Sequence, residues 1–284
     1  MKKFSYALIL GTLLTIVSIS AYAQAPKTAP AIRPKVVQSQ VLFKKTIWRR
    51  MDLNERQNRP FFSTNGEITN VIIEAAKKGL IFPYENDSCL TRLSAATFEE
   101  RIQIDDQAGG GIDPADTIGT NDPDDPFKDL NAQQGGGGGS AGPQWIPPLE
   151  FNVLELKEEL FFDRLRSRMY FDIKTVTLYL PSSSPYNYGG FNKQIASFKF
   201  SELEKLFREV MPEKSIWYNN QNQAQHRNFA DAFTLRLFSA PIVKISNDND
   251  QSIREIYGQG KKGIIAAQKL EHELVDFENQ LWEY

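Results

Sequence analysis

The stretch that decides the fold reads Phe151-Asn-Val-Leu-Glu-Leu-Lys-Glu-Glu-Leu-Phe-Phe-Asp-Arg-Leu-Arg-Ser-Arg-Met-Tyr-Phe-Asp-Ile-Lys-Thr-Val-Thr-Leu-Tyr-Leu-Pro181. Its first half carries apolar residues at helical spacing, namely Leu156, Leu160, Phe161 and Leu165. This spacing predicts an amphipathic helix. The second half, residues 169–180, alternates between two faces and is rich in β-branched and aromatic residues, which predicts a strand that Pro181 ends. A helix that leads into a long strand should form the core on which other elements pack.

The stretch is preceded by a long segment, residues 105–148, that offers almost nothing apolar to bury. It contains two glycine runs, 109–111 and 135–139, and eight aspartates with one lysine between positions 105 and 129. Such a composition cannot offset the entropy of ordering, so we predict a disordered Asp/Gly-rich linker. The expected fold is α+β with two small lobes, residues 41–104 and 149–284. In each lobe, helices would pack on a short mixed or antiparallel sheet.

The spacing of apolar residues on both sides of the linker predicts individual helices and strands. Residues 41–58 fit a helix or a strand, and the alternation of the latter half favours a strand. Residues 68–78 have a buried stripe and are followed by Gly79, which predicts a helix and its C-terminal cap. Residues 95–102 predict a further short helix.

The last predicted helix, residues 262–282, has an apolar seam at spacings of three and four. The seam consists of Ala267, Leu270, Leu274, Phe277 and Leu281. Such a seam is typical of a coiled coil, but this one is short, so packing on its own domain is the favoured interpretation.

The first residues have the features of an export signal. Lys2 and Lys3 precede an apolar run, and Ala21-Tyr22-Ala23 fits a small-x-small cleavage site. We therefore predict a cleaved signal peptide, residues 1–23, and an extended tail, residues 24–40; an uncleaved anchor is the alternative. No cysteine lies near the cleavage site, which argues against lipidation. The single Cys89 cannot form an internal disulfide.

The charge distribution argues against nucleic acid as a ligand. The net charge of −2 becomes −4 once the two lysines of the signal are removed. Residues 33–59 nevertheless hold eight basic and two acidic residues. This basic segment could contact a membrane surface, an anionic polymer or an acidic partner, or it could be a solvated face.

Residues that could support catalysis or cofactor binding are sparse. The two histidines, His226 and His272, are far apart, and no zinc or redox cysteine motif is present. Residues 122–126 are rich in aspartate but lack the glycine and distal glutamate of a calcium loop. The glycine runs lack the Gly-Lys-Ser/Thr of a phosphate loop. The sequence therefore predicts no catalytic, cofactor or metal site.

Several blocks follow one another along the chain: residues 45–58 (Lys-Thr-Ile-Trp-Arg-Arg-Met-Asp-Leu-Asn-Glu-Arg-Gln-Asn), the helix that ends at Gly79, Phe161-Phe162-Asp163 with Arg166-Ser167, Phe229 with Phe233, Lys244 with Ser246-Asn247, Ile253, Tyr257 with Gly260, and Leu281-Trp282-Glu283-Tyr284. In this order, the blocks resemble the GldN/PorN family of type IX secretion and gliding-motility proteins. The resemblance extends over both sides of the linker. The strand near residues 193–200 lacks the Phe-Trp content of the family, and the Asp/Gly insertion is unusually long.

The resemblance implies a non-enzymatic structural protein of the periplasm, exported but not lipidated. Family members form rings with the lipoprotein GldK (PorK), through which they meet the outer membrane, and contact the inner-membrane protein GldM (PorM). The residues expected at partner interfaces are Trp48, Arg49, Arg50, Leu274, Phe277, Leu281, Trp282 and Tyr284. The alternatives are a periplasmic module that binds cell-wall glycan through exposed Trp and Tyr, and a hydrolase with an unrecognised site.

Overall fold

The computed structural model describes residues 37–104, 144–258 and 260–282. The predicted signal peptide, the tail up to residue 36 and residues 105–143 of the predicted linker lie outside these residues. The strands are β1 (Val41–Asp52), β2 (Phe62–Ser63), β3 (Gly66–Glu67), β4 (Val153–Asp163), β5 (Arg168–Leu180), β6 (Lys193–Lys199), β7 (Ile216–Trp217), β8 (Arg227–Asn228) and β9 (Ile242–Ile245). The helices are α1 (Ile68–Lys77), α2 (Ala95–Ile102), α3 (Phe200–Lys205), α4 (Phe229–Thr234), α5 (Ile253–Tyr257) and α6 (Lys261–Trp282), with a π-helical turn, Leu206–Val210, directly after α3. Short 3-10 turns lie at Gln38–Gln40, Arg59–Phe61, Pro148–Glu150 and Gln223–Gln225.

The first half of the opening stretch is a strand, so the helix predicted there is wrong. β4 pairs with β5 along its whole length. Its even-numbered apolar side chains, Leu154, Leu156, Leu160 and Phe162, are buried, as a strand with one buried face requires. Glu158 occupies the remaining position on that face and is fully buried. A carboxylate there interrupts the apolar alternation. The strand predicted for the second half is confirmed as β5.

The main sheet has five antiparallel strands in the order β6-β5-β4-β1-β9. This confirms the α+β class and the antiparallel sheet. However, β1 comes from before residues 105–143 and lies between β4 and β9, which come after them. The segments 41–104 and 149–284 therefore share one sheet and do not form the two separate lobes that the linker suggested. Pairing with β4 along its length and with β9 around residues 47–49 satisfies backbone N–H and C=O groups of β1 on both edges there.

The two faces of the sheet differ in composition. The inner face carries Ile47, Met51, Leu156 and Val176, all buried, and the outer face carries charged and aromatic residues. The register between β4 and β5 shifts opposite the pair Lys157 and Glu158. This irregularity lets both Ile173 and Val176 join the same core, although strict alternation places them on opposite faces.

A cluster of phenylalanines forms the centre of the larger core, where α3 and α4 meet the inner face. The ring of Phe233 lies 5.0 Å from that of Phe61, 5.5 Å from Phe200 and 5.7 Å from Phe238, measured between centroids. Helices α1 and α2, whose predicted ranges are confirmed to within a residue, contribute apolar residues to the same core. The chain from α1 to residue 104 is thus fixed against strands that come much later.

A smaller core lies under α5 and α6. Ile47, Leu160 and Ile242 from the sheet meet Ala266 and Ala267 of α6 there. The predicted seam faces its own domain, since Leu270 and Leu274 pack on this core and Phe277 lies 4.8 Å from Phe43 between ring centroids. The interpretation of α6 as a helix that packs on its own chain is confirmed.

The residues on either side of positions 105–143 are held together. The Ile104 amide donates to the Gln144 carbonyl and the Ile146 amide donates to the Ile102 carbonyl, both at 2.9 Å. Trp145 lies opposite Gln103, and its ring receives the Lys77 ammonium at 3.5 Å from the centroid. Residues 144–148 therefore belong to the fold, contrary to the prediction that placed them in the linker. Their apolar residues, Trp145 and Ile146, explain the difference.

Because these ends are paired, deletion of residues 106–140 should leave the fold intact. The connection would then consist of residues 105 and 141–143, which suffices for neighbouring antiparallel strands. Each halving of a flexible loop lowers its closure cost by about 0.6 kcal/mol, so the free energy of unfolding should stay constant or rise by up to about 2 kcal/mol. Urea denaturation measures this. A loss of more than about 1 kcal/mol would show that the deleted residues contribute to the core.

Candidate interaction sites

The predicted interface residues do not form one site. Trp48 and Arg50 lie on the outer face of β1, whereas Arg49 points to the inner face and into an ion cluster. Leu274 and Phe277 are half-buried against the smaller core, and Leu281 follows them on the same seam. Trp282 is the last residue of α6, and Tyr284 lies outside the described residues.

Trp48 is held by polar contacts from three other segments. Its indole Nε1 donates to Asp87 at 2.7 Å, and the Lys157 ammonium reaches the same carboxylate at 3.2 Å. The Lys244 and Lys157 ammonium groups lie 4.5 and 5.4 Å from the ring centroid. Cation–π contacts of this kind each stabilise by about 0.5–1 kcal/mol at exposed sites. The half-buried indole is therefore fixed in one orientation on the outer face.

Arg50 forms the neighbouring part of the outer face. Its Nη2 donates to Glu155 at 2.9 Å, and its guanidinium carbon lies 5.9 Å from the Tyr179 ring centroid. Burial, followed by the nearby Glu155 carboxylate, raises the pKa of Tyr179 well above its usual value. The tyrosine consequently remains a neutral hydrogen-bonding group. The outer face here combines fixed aromatic rings with charges of both signs.

On the inner face, the fully buried Glu158 is paired with two arginines. Arg236 donates to it from Nη1 at 2.8 Å and Nη2 at 3.3 Å, and Arg49 donates from Nε at 3.1 Å. Arg49 Nη1 also reaches Glu271 of α6 and the Ala240 carbonyl, each at 2.8 Å. The cluster separates the two apolar cores and links α6 to the sheet. Glu158, Arg236 and Glu271 were missed because no sequence spacing relates partners so far apart.

The turn between β4 and β5 explains one of the family-like blocks. Asp163 is buried and accepts the Leu165 amide at 2.9 Å and Arg166 Nη1 at 2.7 Å. Ser167 adopts a φ of 49°, which closes the turn. The Arg166 guanidinium lowers the pKa of Asp163 below its usual value. We call residues 164–168 the hairpin tip.

The lowered pKa of Asp163 predicts a dependence of stability on acid. A carboxyl whose pKa is lower in the folded state than in the unfolded state stabilises the fold above its unfolded pKa of about 4, and this contribution is lost as the pH falls through the folded pKa. The difference in unfolding free energy between the wild type and Asp163→Asn should therefore be constant above about pH 5 and shrink below pH 4. Denaturant titrations across this range measure it.

The Arg166→Gln variant is the matched control for this pH effect. It keeps the carboxyl but removes the main cause of the lowered pKa, so its pH profile should resemble that of Asp163→Asn. Parallel profiles of the wild type and both variants would contradict the assignment.

A surface cleft lies at the opposite end of β1. Its volume is about 570 Å³, and its lining is formed by Leu53, Asn54, Arg59, Pro60, Phe62, Ser63, Thr64, Tyr218 and Asn220. The Tyr218 ring packs against that of His226 at a tilt of 31°, with 4.6 Å between centroids. His226 Nδ1 in turn accepts the Asn219 amide at 3.1 Å. The cleft offers two aromatic rings and several amide and hydroxyl groups to a small polar ligand.

Within residues 37–104, 144–258 and 260–282, no three His, Cys, Asp or Glu side chains are grouped to hold a metal ion. The helices in this part of the chain are all too short or too polar to span a bilayer. Cys89 is buried, and burial raises the pKa of its thiol to about 11, so the thiolate is scarce near neutral pH.

The fold and these features define a class of α+β protein in which one antiparallel sheet fixes charged and aromatic side chains for surface contacts. Over residues 36–283 the sequence matches the family model described as gliding motility associated protein GldN, and the chain belongs to that family. No curated protein matches it.

Proposed function

We propose that this chain is a non-enzymatic structural subunit of the periplasmic ring of the type IX secretion system, where it supports protein export and gliding motility. Its partners in this proposal are the lipoprotein GldK/PorK, the periplasmic part of GldM/PorM and further copies of itself. Membership of the GldN family supports the link to gliding motility.

The observation that carries the proposal is the presence of two separate surfaces, one on the outer face of the sheet and one on α6. The outer face presents Trp48, held by Asp87, Lys157 and Lys244. On the other side of the molecule, α6 exposes Ile264, Ile265 and Val275 at 61%, 53% and 56% of their surface. A ring subunit needs at least two non-overlapping surfaces to meet its neighbours. Preformed aromatic anchors, such as Trp48, are typical of the residues that dominate binding energy.

Affinity purification of the tagged chain from detergent-solubilised envelopes tests this proposal. GldK/PorK should co-purify with the wild type, and Trp48→Ala or Ile265→Asp should reduce its recovery or that of GldM/PorM. Val210→Asp, at a valine that is 51% exposed at the end of the π-helical turn after α3, is the matched control and should not change recovery. If the wild type is recovered without either partner, the proposal is wrong.

The cleft at Tyr218 supports the second candidate, a module that binds cell-wall glycan. Sugars stack on aromatic rings, and their hydroxyls bind amide and hydroxyl groups of the kinds that line this cleft. Co-sedimentation with purified peptidoglycan distinguishes the two functions. Binding that Tyr218→Ala abolishes, but Trp48→Ala does not, would favour the glycan module over the ring subunit.

A further inference from the structure

The hairpin tip combines an exposed apolar residue with exposed bases. Leu165 is 69% exposed, and Arg164, Arg166 and Arg168 surround it in sequence with exposed side chains of their own. Leu42 of the neighbouring strand β1 is 58% exposed and follows Val41, which pairs with Asp163 at the base of the tip. Two leucines and three arginines thus lie at one end of the sheet.

Hydrogen bonds tie the backbone of the tip to the sheet and leave Leu165 exposed. Asp163 fixes the turn from inside through the Leu165 amide and Arg166, as described above. The Arg164 amide donates to the Gln40 carbonyl at 2.9 Å, which joins the tip to the start of β1. A single exposed leucine on a protein surface is ordinary. A leucine held at a convex apex among arginines calls for an explanation in terms of a ligand.

The charges near the tip are mainly positive. Arg164, Arg168 and Lys45 have no carboxylate partner within the described parts of the chain, and Arg166 is paired with Asp163. Nearby, Glu278 of α6 accepts the Met169 amide at 3.0 Å, and Lys44 is paired with Glu159. The bases therefore exceed the acids at this end. The sequence immediately before the described residues, 24–36, adds three bases and no acid.

The shape of the tip decides which anionic partner fits. A convex apex offers no groove to enclose a peptide. Its leucines gain free energy only where an apolar medium is available, and arginine binds phosphate groups well. The boundary between lipid headgroups and acyl chains provides both an apolar medium and phosphates. We propose that the hairpin tip docks on an anionic membrane surface, with Leu165 and Leu42 at the acyl boundary and Arg164 and Arg168 on headgroup phosphates.

Co-sedimentation of the purified full-length mature chain with lipid vesicles tests this inference. Vesicles of phosphatidylethanolamine with phosphatidylglycerol should bind it, and vesicles of phosphatidylcholine should bind it much less. Each base near an anionic surface is worth about 1 kcal/mol, so Arg164→Gln with Arg168→Gln should weaken binding roughly 30-fold. The double variant Lys261→Gln with Lys262→Gln removes the same charge from exposed residues of α6 and should bind like the wild type.

The Leu165→Ser variant separates insertion from simple charge attraction. Loss of the leucine should weaken binding roughly tenfold, whereas Leu90→Ser should have no effect. If Leu165→Ser binds like the wild type, or both double charge variants lose affinity equally, the proposal is wrong. Stronger binding to an acidic peptide such as polyglutamate, insensitive to Leu165→Ser, would overturn it in favour of a protein partner.

A fluorescent probe gives an independent measurement. Leu165→Cys can be labelled with an environment-sensitive maleimide dye, because the native Cys89 is 7% exposed and its pKa of about 11 keeps it unreactive. The dye emission should shift to the blue with phosphatidylglycerol vesicles and stay unchanged with phosphatidylcholine. A dye at Leu90→Cys is the control. Equal shifts at both positions, or none at residue 165, would contradict docking through the tip.

Discussion

Replacement of Glu158 by alanine should destabilise the protein by about 3–5 kcal/mol, which is a large part of the stability of an ordinary domain. The carboxylate is fully buried and accepts three hydrogen bonds from Arg49 and Arg236. Without it, two guanidinium groups remain beneath α6 with like charge and few acceptors. Arg49 also holds Glu271, so the attachment of α6 should loosen as well.

Urea denaturation of Glu158→Ala measures this loss. The matched control is Glu159→Ala, one residue along β4 and on the outer face. Glu159 is paired with Lys44 and Lys174 at a partly exposed position, and such pairs contribute at most about 1 kcal/mol. If the two variants differ by less than about 1 kcal/mol, the cluster does not stabilise the fold in the way described.

A triple replacement tests the physical cause. Replacing Arg49, Glu158 and Arg236 together by Met, Leu and Met removes the carboxylate and both guanidinium groups, so that no buried charge is left unpaired. Apolar replacements of buried ion clusters are often neutral or stabilising. The triple variant should therefore be more stable than Glu158→Ala alone, although it carries more substitutions.

Replacement of Phe233 by alanine should cost about 3–5 kcal/mol, through lost burial and the cavity left behind. The ring is 1% exposed and contacts those of Phe61, Phe200 and Phe238, which come from three separate segments. Few neighbours can move to fill the space, since two of these three rings are themselves fully buried. Thermal and urea unfolding measure the loss.

Two variants calibrate this cavity effect. Phe233→Leu keeps most of the volume and should cost about 1 kcal/mol. Phe191→Ala removes the same atoms at a position that is 70% exposed, and should change stability by no more than about 0.5 kcal/mol. A loss for Phe191→Ala similar to that for Phe233→Ala would refute the assignment of Phe233 to the centre of the core.

The elements found correctly from the sequence were those whose patterns are local. The helices at residues 68–77 and 261–282 have apolar stripes uninterrupted by buried charge, and Gly79 has the positive φ of 69° that its C-cap position requires. β4 was assigned as a helix because Glu158 occupies a buried position in its alternation. The carboxylate is tolerated there only because Arg49 and Arg236 converge on it, and both are remote in sequence.

At the candidate sites, too, local patterns were predicted correctly and contacts between remote residues were missed. Alternation correctly separates Trp48 from Arg49 on β1, but gives no indication that Asp87 lies beside the indole. The Asp-rich composition of residues 105–129 suggested a boundary between lobes, yet it carries no information on which strands pair across it. Pairings such as β1 with β4 depend on complementarity between whole strands, which composition does not encode.

The central position of β1 has a consequence for the time course of folding. Its neighbours in the sheet, β4 and β9, are made long after it, and the hydrogen bond from Arg49 to Ala240 joins residues 191 positions apart. Contacts of such long range make folding slow, because the intervening chain must first be closed into a loop. β1 thus stays without a partner until β4 has been made, and its other edge stays unpaired until β9, near the end of the chain, is present. Folding therefore requires nearly the whole chain. A chain truncated before β9 would leave the edge of β1 that faces β9 unpaired.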